Sequence, residues 1–197
     1  MPMDPRVTEL QCIMPLENIP SILKHGILSN ERAAKLPHES VAMTEVQERR
    51  DLKQVPRGMK LHQYANLYFH ARNPMLYKRK EQAANLCVLC VSIEVLELDG
   101  VVIADCNASS NYVRFLPPSN WRLLEFDDIF ALNWIHPDDP IAQLRHRSRK
   151  CAEVLVPHAV EPRFLIGARV VNRTAEEQLR ALGFSLPITI DPGLFFR

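Results

Sequence analysis

The run Leu86-Cys-Val-Leu-Cys-Val-Ser-Ile-Glu-Val-Leu96 is the strongest strand signal in the chain and decides how the fold is organised. Its apolar residues are nearly continuous, which is typical of a strand buried on both faces at the centre of a sheet. We expect residues 101–104, which follow the Asp99-Gly100 turn, to pair beside it. The sequence therefore predicts a sheet built around residues 86–96.

Helices and further strands surround this run without a regular βαβ rhythm. Helical spacing or composition predicts helices at residues 17–28, 31–36, 121–134 (one helix, or a helix and a turn), 141–150 and 175–182. Strand-like patterns occupy residues 41–46, 152–156 and 163–171, and the tail at 185–197 has the character of an edge strand. This order predicts an α+β fold with a central mixed β-sheet flanked by helices.

Length and composition are those of one globular domain spanning residues 1–197. The chain is 47% hydrophobic and 24% charged, and it is long enough to bury one proper core. No stretch approaches the roughly 20 apolar residues that a membrane span needs. The first residues lack the basic and apolar segments of a signal peptide. We therefore expect a cytoplasmic protein that contacts no membrane.

The five cysteines indicate reduced thiols rather than a disulfide framework, because their number is odd and their positions are scattered. Cys87 and Cys90 have the spacing of a zinc-ligand pair, but no second pair follows and the flanking sequence reads as a strand. We therefore expect buried strand cysteines at these two positions and no metal site.

Two segments stand out for their chemistry. Residues 47–77 form a long polar and aromatic stretch with little periodicity, and such a stretch is usually functional when its aromatics argue against disorder. Residues 145–150 form a basic run within a chain of net charge +1. Basic runs are often solvated faces, so their position relative to the catalytic residues decides whether they bind nucleic acid.

Five short motifs in a fixed order cover most of the chain. They are Leu16-Glu-Asn-Ile-Pro-Ser-Ile-Leu-Lys-His-Gly-Ile-Leu28, Val46-Gln-Glu-Arg-Arg50 with Val55-Pro56, Leu61-His-Gln-Tyr-Ala-Asn-Leu-Tyr-Phe69 with Asn73-Pro-Met-Leu-Tyr77, Asp105-Cys-Asn-Ala-Ser-Ser110, and Lys150-Cys-Ala-Glu-Val-Leu-Val-Pro157. Together they resemble the DarT family of DNA ADP-ribosyltransferase toxins. The resemblance implies the ADP-ribosyltransferase fold, NAD as the substrate that supplies ADP-ribose, and a base of single-stranded DNA as the acceptor.

The resemblance also implies which residues react. Within the family's last motif Glu153 is the catalytic glutamate, and a carboxylate near the ribose stabilises a transition state with oxocarbenium character. Arg49 and Arg50 are candidates for clamping the pyrophosphate of NAD, because a guanidinium matches phosphate geometry. Only one of these neighbours is expected to face the site, and the motif spacing favours Arg50.

The first motif departs from the family, which usually has histidines in an H-x-T-H pattern before D-N-L. Here Cys12-Ile-Met-Pro15 and Glu17-Asn18-Ile19 stand in those places, although the family's histidine helps to hold NAD. Stacking on aromatic rings is expected for nicotinamide and for the acceptor base. The residues expected to contact NAD are Cys12, Met14, Asn18, Arg32, Tyr68, Met75 and Tyr77.

A base inside a duplex cannot present its ring nitrogen to the ribose, so the acceptor strand is expected to be single-stranded or flipped out. The basic run ends three residues before Glu153, where the phosphates of a bound strand pass. The residues expected to bind nucleic acid are Arg145, Arg147, Arg149, Lys150, Asn107, Ser109 and Ser110.

The residues themselves do not choose between thymine and guanine, or between DNA and RNA as the acceptor. A catalytically inactive nucleic-acid-binding module of the same fold is a further alternative, motivated by the departure at residues 12–15. A metal-dependent nuclease ranks below these, because no histidine or carboxylate spacing matches a ligand set. For an active enzyme, the resemblance implies a toxin whose partner is an antitoxin that removes ADP-ribose from the base.

Overall fold

The structure is a computed structural model that describes residues 4–39 and 44–197. Its strands are β1 (Leu10–Pro15), β2 (Ile27–Leu28), β3 (Tyr64–Tyr68), β4 (Leu86–Val91), β5 (Val102–Ala104), β6 (Phe115–Leu116), β7 (Glu153–Pro157), β8 (Ala159–Val160), β9 (Leu165–Val170) and β10 (Ile188–Ile190). Its α-helices are α1 (Ile19–His25), α2 (Asn30–Ala33), α3 (Thr44–Asp51), α4 (Pro74–Lys78), α5 (Phe126–Phe130), α6 (Pro140–Arg149) and α7 (Arg173–Ala181). Short 3-10 helices occupy Leu16–Asn18, Leu61–Gln63, Lys80–Asn85, Ile93–Glu97, Pro118–Leu123 and Pro162–Phe164.

Eight strands form one sheet in the order β10-β9-β4-β1-β3-β7-β5-β6, and β2 pairs with β8 in a separate ribbon. The pairs of the large sheet are antiparallel except for β9 and β10, which run parallel. The predicted α+β fold with a mixed central sheet is therefore confirmed.

Strand β4 lies inside the sheet, and all six of its residues are buried. It pairs with β1 on one side, where Cys12 faces Leu89, and with β9 on the other. Both faces of β4 are covered by the main apolar core, as the continuous apolar run predicts. Cys87 and Cys90 are buried free thiols, which confirms their assignment to a strand.

The helix predicted at residues 17–28 is shorter in the structure, where α1 spans Ile19–His25 and residues 27–28 form β2, whereas the helix predicted at 141–150 is found. Helix α1 ends at Gly26, whose φ of 80° is reached easily only by glycine and where a Cβ would collide with the carbonyl of Val160. Helix α6 begins at Pro140, with Asp139 accepting a hydrogen bond from the Ala142 amide. The tail supplies β10 at the edge of the sheet, as predicted.

Three expectations about strands were wrong. Strand β4 ends at Val91, because Ser92 caps a 3-10 helix through the Glu94 amide instead of continuing the ladder. Strand β5 pairs with β6 and β7 rather than with β4. Of the strand predicted at 41–46, residues 41–43 lie outside the described residues, and residues 44–46 begin α3.

No helix in the described ranges, 4–39 and 44–197, has the length and apolar character needed to cross a membrane.

Candidate active site

Glu153 is the first residue of β7, and two neighbouring strands fix its position. It lies opposite Tyr68 of β3 on one side and opposite Ala104 of β5 on the other. Only 2% of the residue is exposed to solvent. A carboxylate at this depth must be hydrogen-bonded and paired with a cation to remain ionised.

Arg50 supplies the cation. It lies in the last turn of α3, and its Nη1 is 3.1 Å from Oε1 and 3.2 Å from Oε2 of Glu153. The residue is buried, with 7% exposed. The two residues meet across a separation of 103 in sequence, so the pair is made entirely by the tertiary fold.

A backbone amide completes the environment of the carboxylate. The N–H of Ala108 donates to Glu153 Oε1 at 2.9 Å. Ala108 belongs to the loop between β5 and β6, which we call the 105–114 loop. An ion pair that also accepts a main-chain hydrogen bond is held in one orientation, which suits a preorganised site.

The 105–114 loop is tied down at its base and along its length. Asp105 accepts hydrogen bonds from the backbone N and the Nε of Arg114, at 2.8 and 2.6 Å. The Asn107 amide donates to the carbonyl of Ser148 in α6 at 3.0 Å, and the Lys53 amine donates to the carbonyl of Ser110. The loop therefore links the segment after α3, helix α6 and the buried glutamate.

A cavity of about 1190 Å³ opens in front of the Arg50–Glu153 pair. Arg50 lines it, whereas Glu153 lies behind the lining, ion-paired with Arg50. Many of the predicted site residues line the same cavity. They are Arg49, Arg50, Cys12, Met14, Asn18, Tyr68, Met75, Asn107, Ser109, Ser110, Arg145, Arg147 and Arg149.

Three predicted site residues are placed elsewhere. Lys150 is 0% exposed and donates to the carbonyls of Ile129 and Ala131, so its assignment to phosphate contact was wrong. Burial lowers the pKa of its amine to about 8. Tyr77 lies outside the cavity lining, with its ring against Trp134. Arg32 is exposed on α2 and also lies outside the lining.

The Cys12 and Tyr68 side chains on the cavity wall are neutral. Burial raises the pKa of the Cys12 thiol to about 12, so the thiol stays protonated at neutral pH. Burial also raises the pKa of the Tyr68 hydroxyl well above its usual value, and the charge of Glu153 acts in the same direction. Both groups therefore stay protonated at neutral pH, and neither is a nucleophile in the folded protein.

Asn18 lines the cavity with its amide already engaged. Its Nδ2 donates to the carbonyl of Glu39 at 2.7 Å, and its Oδ1 accepts from the Glu39 amide at 2.9 Å. Asn18 immediately precedes α1, but its side chain makes no capping hydrogen bond. Its side chain instead holds the backbone of Glu39 at the cavity wall.

Sequence reasoning missed several residues that build the site. Asn66 lines the cavity from β3, two residues before Tyr68 and therefore on the same face. The Ala108 amide left no side-chain signal to find. Lys53 could have been found from the sequence, because it lies only three residues after Arg50. Within the described residues, no group of three or more His, Cys, Asp or Glu side chains is arranged to hold a metal ion.

Solved structures match this fold over nearly the whole chain. The structure of Thermus sp. 2.9 DarT in complex with ADP-ribosylated ssDNA matches with a TM-score of 0.85 at 23% identity, covering 98% of this chain and 99% of that one. The Thermosipho africanus DarTG structure in complex with ADP-ribose matches with a TM-score of 0.81 at 26% identity, covering 95% of this chain and 51% of that one. The protein therefore has the ADP-ribosyltransferase fold.

The sequence comparisons are more specific. A DNA ADP-ribosyl transferase of Thermus sp. (strain 2.9) is 29% identical over 192 residues, covering 90% of this chain and 88% of the relative. The DNA ADP-ribosyl transferase-DNA ADP-ribosyl glycohydrolase fusion protein of Thermosipho africanus is 29% identical over 205 residues. The chain spans about half of that fusion protein, since the match covers 98% of this chain and 51% of the relative.

The family model for "ssDNA thymidine ADP-ribosyltransferase, DarT" matches residues 12–196. The chain belongs to the DarT family, whose members are NAD-dependent ADP-ribosyltransferases.

Proposed function

We propose that this chain transfers ADP-ribose from NAD to a thymine base of single-stranded DNA. The observation that carries the proposal is the buried Arg50–Glu153 pair at the wall of a cavity of about 1190 Å³ in a DarT-family chain. The family description names thymidine, and solved structures of Thermus sp. 2.9 DarT hold NAD+ and ADP-ribosylated ssDNA. These names favour thymine over guanine as the acceptor.

The reaction joins a ring nitrogen of the base to C1′ of the nicotinamide ribose. The bond between C1′ and the nicotinamide nitrogen breaks, and nicotinamide leaves as a neutral molecule with the bonding electron pair. Positive charge develops on the ribose as that bond lengthens, and a nearby carboxylate stabilises it. The attacking nitrogen loses its proton, which the Glu153 carboxylate accepts.

Glu153 has the capacity for this role. Its Oε1 accepts from Ala108 and Arg50, whereas Oε2 has Arg50 Nη1 as its described partner, at 3.2 Å. A carboxylate oxygen carries two lone pairs, so Oε2 has room for a ribose hydroxyl or a proton. In this proposal the Arg50 guanidinium, which lines the cavity, turns towards the NAD pyrophosphate when NAD binds and leaves Oε2 open to the ribose. Arg49 is exposed on the same wall, where it supplements the phosphate contact.

The acceptor is tested with four oligonucleotides, two of DNA and two of RNA, each carrying one candidate acceptor base. A single thymine or a single guanine is placed in an otherwise adenine and cytosine strand, as DNA and as RNA with uracil in place of thymine. We expect one ADP-ribose addition on the DNA strand with thymine. Addition on the guanine strand alone would overturn the base assignment, and addition to RNA alone would favour the RNA-acceptor reading.

We further propose that the chain acts as a toxin opposed by a partner that removes ADP-ribose from the base. This is supported by the Thermosipho africanus relative, in which the transferase is fused to a DNA ADP-ribosyl glycohydrolase. A modified base that a polymerase must read blocks replication. We expect induced wild-type chain to stop growth of a bacterial host and Glu153→Ala to be tolerated. Equal growth with equal amounts of both proteins would count against toxicity.

A further inference from the structure

Tyr112 is the most exposed aromatic residue at the cavity. Tyr112 is 91% exposed, lies near the end of the 105–114 loop and lines the cavity. The other cavity-lining tyrosine, Tyr68, is only partly exposed within β3. A single exposed aromatic residue usually needs no explanation, so the position of Tyr112 and its surroundings decide its meaning.

The backbone that carries Tyr112 is fixed rather than loose. The Tyr112 amide donates to Ser110 Oγ at 3.2 Å, and the Ser110 amide donates to the Asn107 carbonyl at 2.8 Å. Asn107 also accepts from the amide and hydroxyl of Ser109, at 2.9 and 2.8 Å. Because Ala108 of the same loop donates to Glu153, the backbone that carries Tyr112 is tied to the reacting centre.

The neighbouring surface of α6 combines apolar and cationic side chains. Ile141, Leu144 and Arg145 share one face of the helix at spacings of three and four residues, and all three line the cavity. Leu144 is 68% exposed. Arg145 and Arg147 form no ion pair with any residue of the described ranges, whereas Arg149 is paired with Asp128 at 2.6 Å. Two unpaired guanidinium groups therefore stand beside exposed apolar surface.

This mixture fits an unpaired nucleic-acid strand. Phosphates match the guanidinium groups, and bases released from a stack match an exposed aromatic ring and aliphatic side chains. A duplex offers the phosphates but keeps its base faces covered. The surface is also continuous with the cavity in which the acceptor base must react.

We infer that Tyr112 is a stacking platform for the base adjacent to the acceptor in single-stranded DNA, which makes it a positioning residue for transfer. The inference rests on the proposed function. Stacking the neighbouring base on Tyr112 separates it from the acceptor, which then enters the cavity towards Arg50. Base–aromatic stacking contributes about 1–3 kcal/mol per base, so loss of the ring is expected to weaken DNA binding by about 5- to 150-fold.

The test combines a change in the protein with a change in the DNA. Tyr112→Ala is compared with Tyr112→Phe, which keeps the ring, and with Leu132→Ala, an exposed residue outside the cavity lining. Each protein is assayed on a strand with one acceptor thymine and on strands with an abasic site on its 5′ or 3′ side. Binding of the same strands without NAD is measured by fluorescence anisotropy, and KM for NAD is measured separately.

We expect Tyr112→Ala to raise KM for DNA by about 5- to 150-fold with KM for NAD unchanged, and Tyr112→Phe to stay within about twofold of wild type. One abasic site should weaken wild-type binding as much as Tyr112→Ala does, and should have no further effect on that variant. Independent effects of the two changes, or unchanged DNA binding by Tyr112→Ala, would overturn the inference. If wild type transfers nothing to DNA, the proposed function fails, whereas the anisotropy data still decide whether Tyr112 stacks.

Discussion

The guanidinium of Arg50 and the carboxylate of Glu153 lie 3.1 Å apart, with both side chains almost fully buried. Helix α3 and strand β7 bring them together, and the amide of Ala108 fixes the carboxylate from a third element. The same two residues therefore neutralise each other's charge in the core and act in the reaction proposed at the cavity. Its removal is therefore expected to change stability and activity in different ways.

Glu153→Gln keeps the side-chain volume and an oxygen for the Ala108 amide, but it leaves Arg50 without a counter-charge. We expect transfer to fall by at least about 100-fold, since a positioned acid or base contributes about 10² to 10⁴ in rate. Loss of one partner of a buried ion pair is expected to destabilise the fold by about 3–5 kcal/mol. Transfer is measured by nicotinamide release and stability by denaturant unfolding.

The double variant Arg50→Met/Glu153→Met is the matched control for that change. It replaces both charges with apolar groups, so we expect stability close to wild type while transfer stays undetectable. Equal loss of stability in the single and double variants would show that the pair does not act as a charge-neutral unit. Normal transfer by Glu153→Gln would remove this residue from the proposed reaction.

Arg145 and Arg147 are expected to contact DNA phosphates, because they line the cavity without an ion pair among the described residues. The logarithm of the association constant for single-stranded DNA falls linearly with the logarithm of the salt concentration. Each replacement by alanine should make this negative slope shallower by about 0.7. The control is Arg163→Ala, whose exposed side chain pairs with Glu161 outside the cavity lining. Unchanged slopes for both variants would assign the two arginines to a solvated face.

His70 is expected to control stability in mild acid. Burial, together with the charge of Lys150, lowers the pKa of His70 to about 4, and His70 Nδ1 lies 3.2 Å from the Lys150 amine. In the unfolded chain histidine binds its proton near pH 6.5, before the folded protein does. The stabilising contribution of neutral His70 is therefore fully present above pH 6.5 and is lost as pH falls from 6.5 towards 4.

The measurement is the free energy of unfolding between pH 7 and pH 5 for wild type and His70→Asn. Wild type should lose on the order of 1–2 kcal/mol more than the variant over this range. The difference between the two proteins cancels the titration of carboxylates that both share. Parallel curves would mean that His70 is not held neutral in the folded protein.

The cysteines are expected to resist alkylation in the folded protein. All five are buried free thiols, and burial raises the pKa of Cys12, Cys90 and Cys151 to about 12. Thiolate is the reactive form, so iodoacetamide at pH 8 should label native protein slowly and label all five sites after unfolding. Rapid native labelling of Cys12 would indicate that the cavity wall around it opens.

The sequence predicted the parts of this fold whose signals are local. The apolar run of β4, the helix at α6 and the motif around Glu153 can be recognised within a few residues of chain. Strand β3 was missed because it is short and lies within a polar stretch of little periodicity, although its buried Ala65 and Leu67 do alternate with Asn66 and Tyr68, which line the cavity. The pairing of β5 with β7 was missed because strand order depends on contacts distant in sequence.

In the candidate site, too, local sequence patterns predicted some residues, whereas others depended on contacts distant in sequence. The preference for Arg50 over Arg49 followed motif spacing, and the structure brings Arg50 to Glu153 because one face of α3 is turned inward. Lys150 belonged to a basic run, yet its amine donates to the carbonyls of Ile129 and Ala131 at the C-terminal end of α5. The sequence shows that a residue at the end of α6 is basic, but it does not show whether the fold buries or exposes that side chain.

The central claim is tested most directly by the intact mass of a single-stranded DNA oligonucleotide containing all four bases after incubation with NAD and purified protein. We predict that wild type adds the mass of one ADP-ribose unit to a strand that carries one thymine, and that Glu153→Ala adds none. An unmodified strand with wild type, on DNA and RNA alike, would contradict transfer and leave a nucleic-acid-binding module of the same fold.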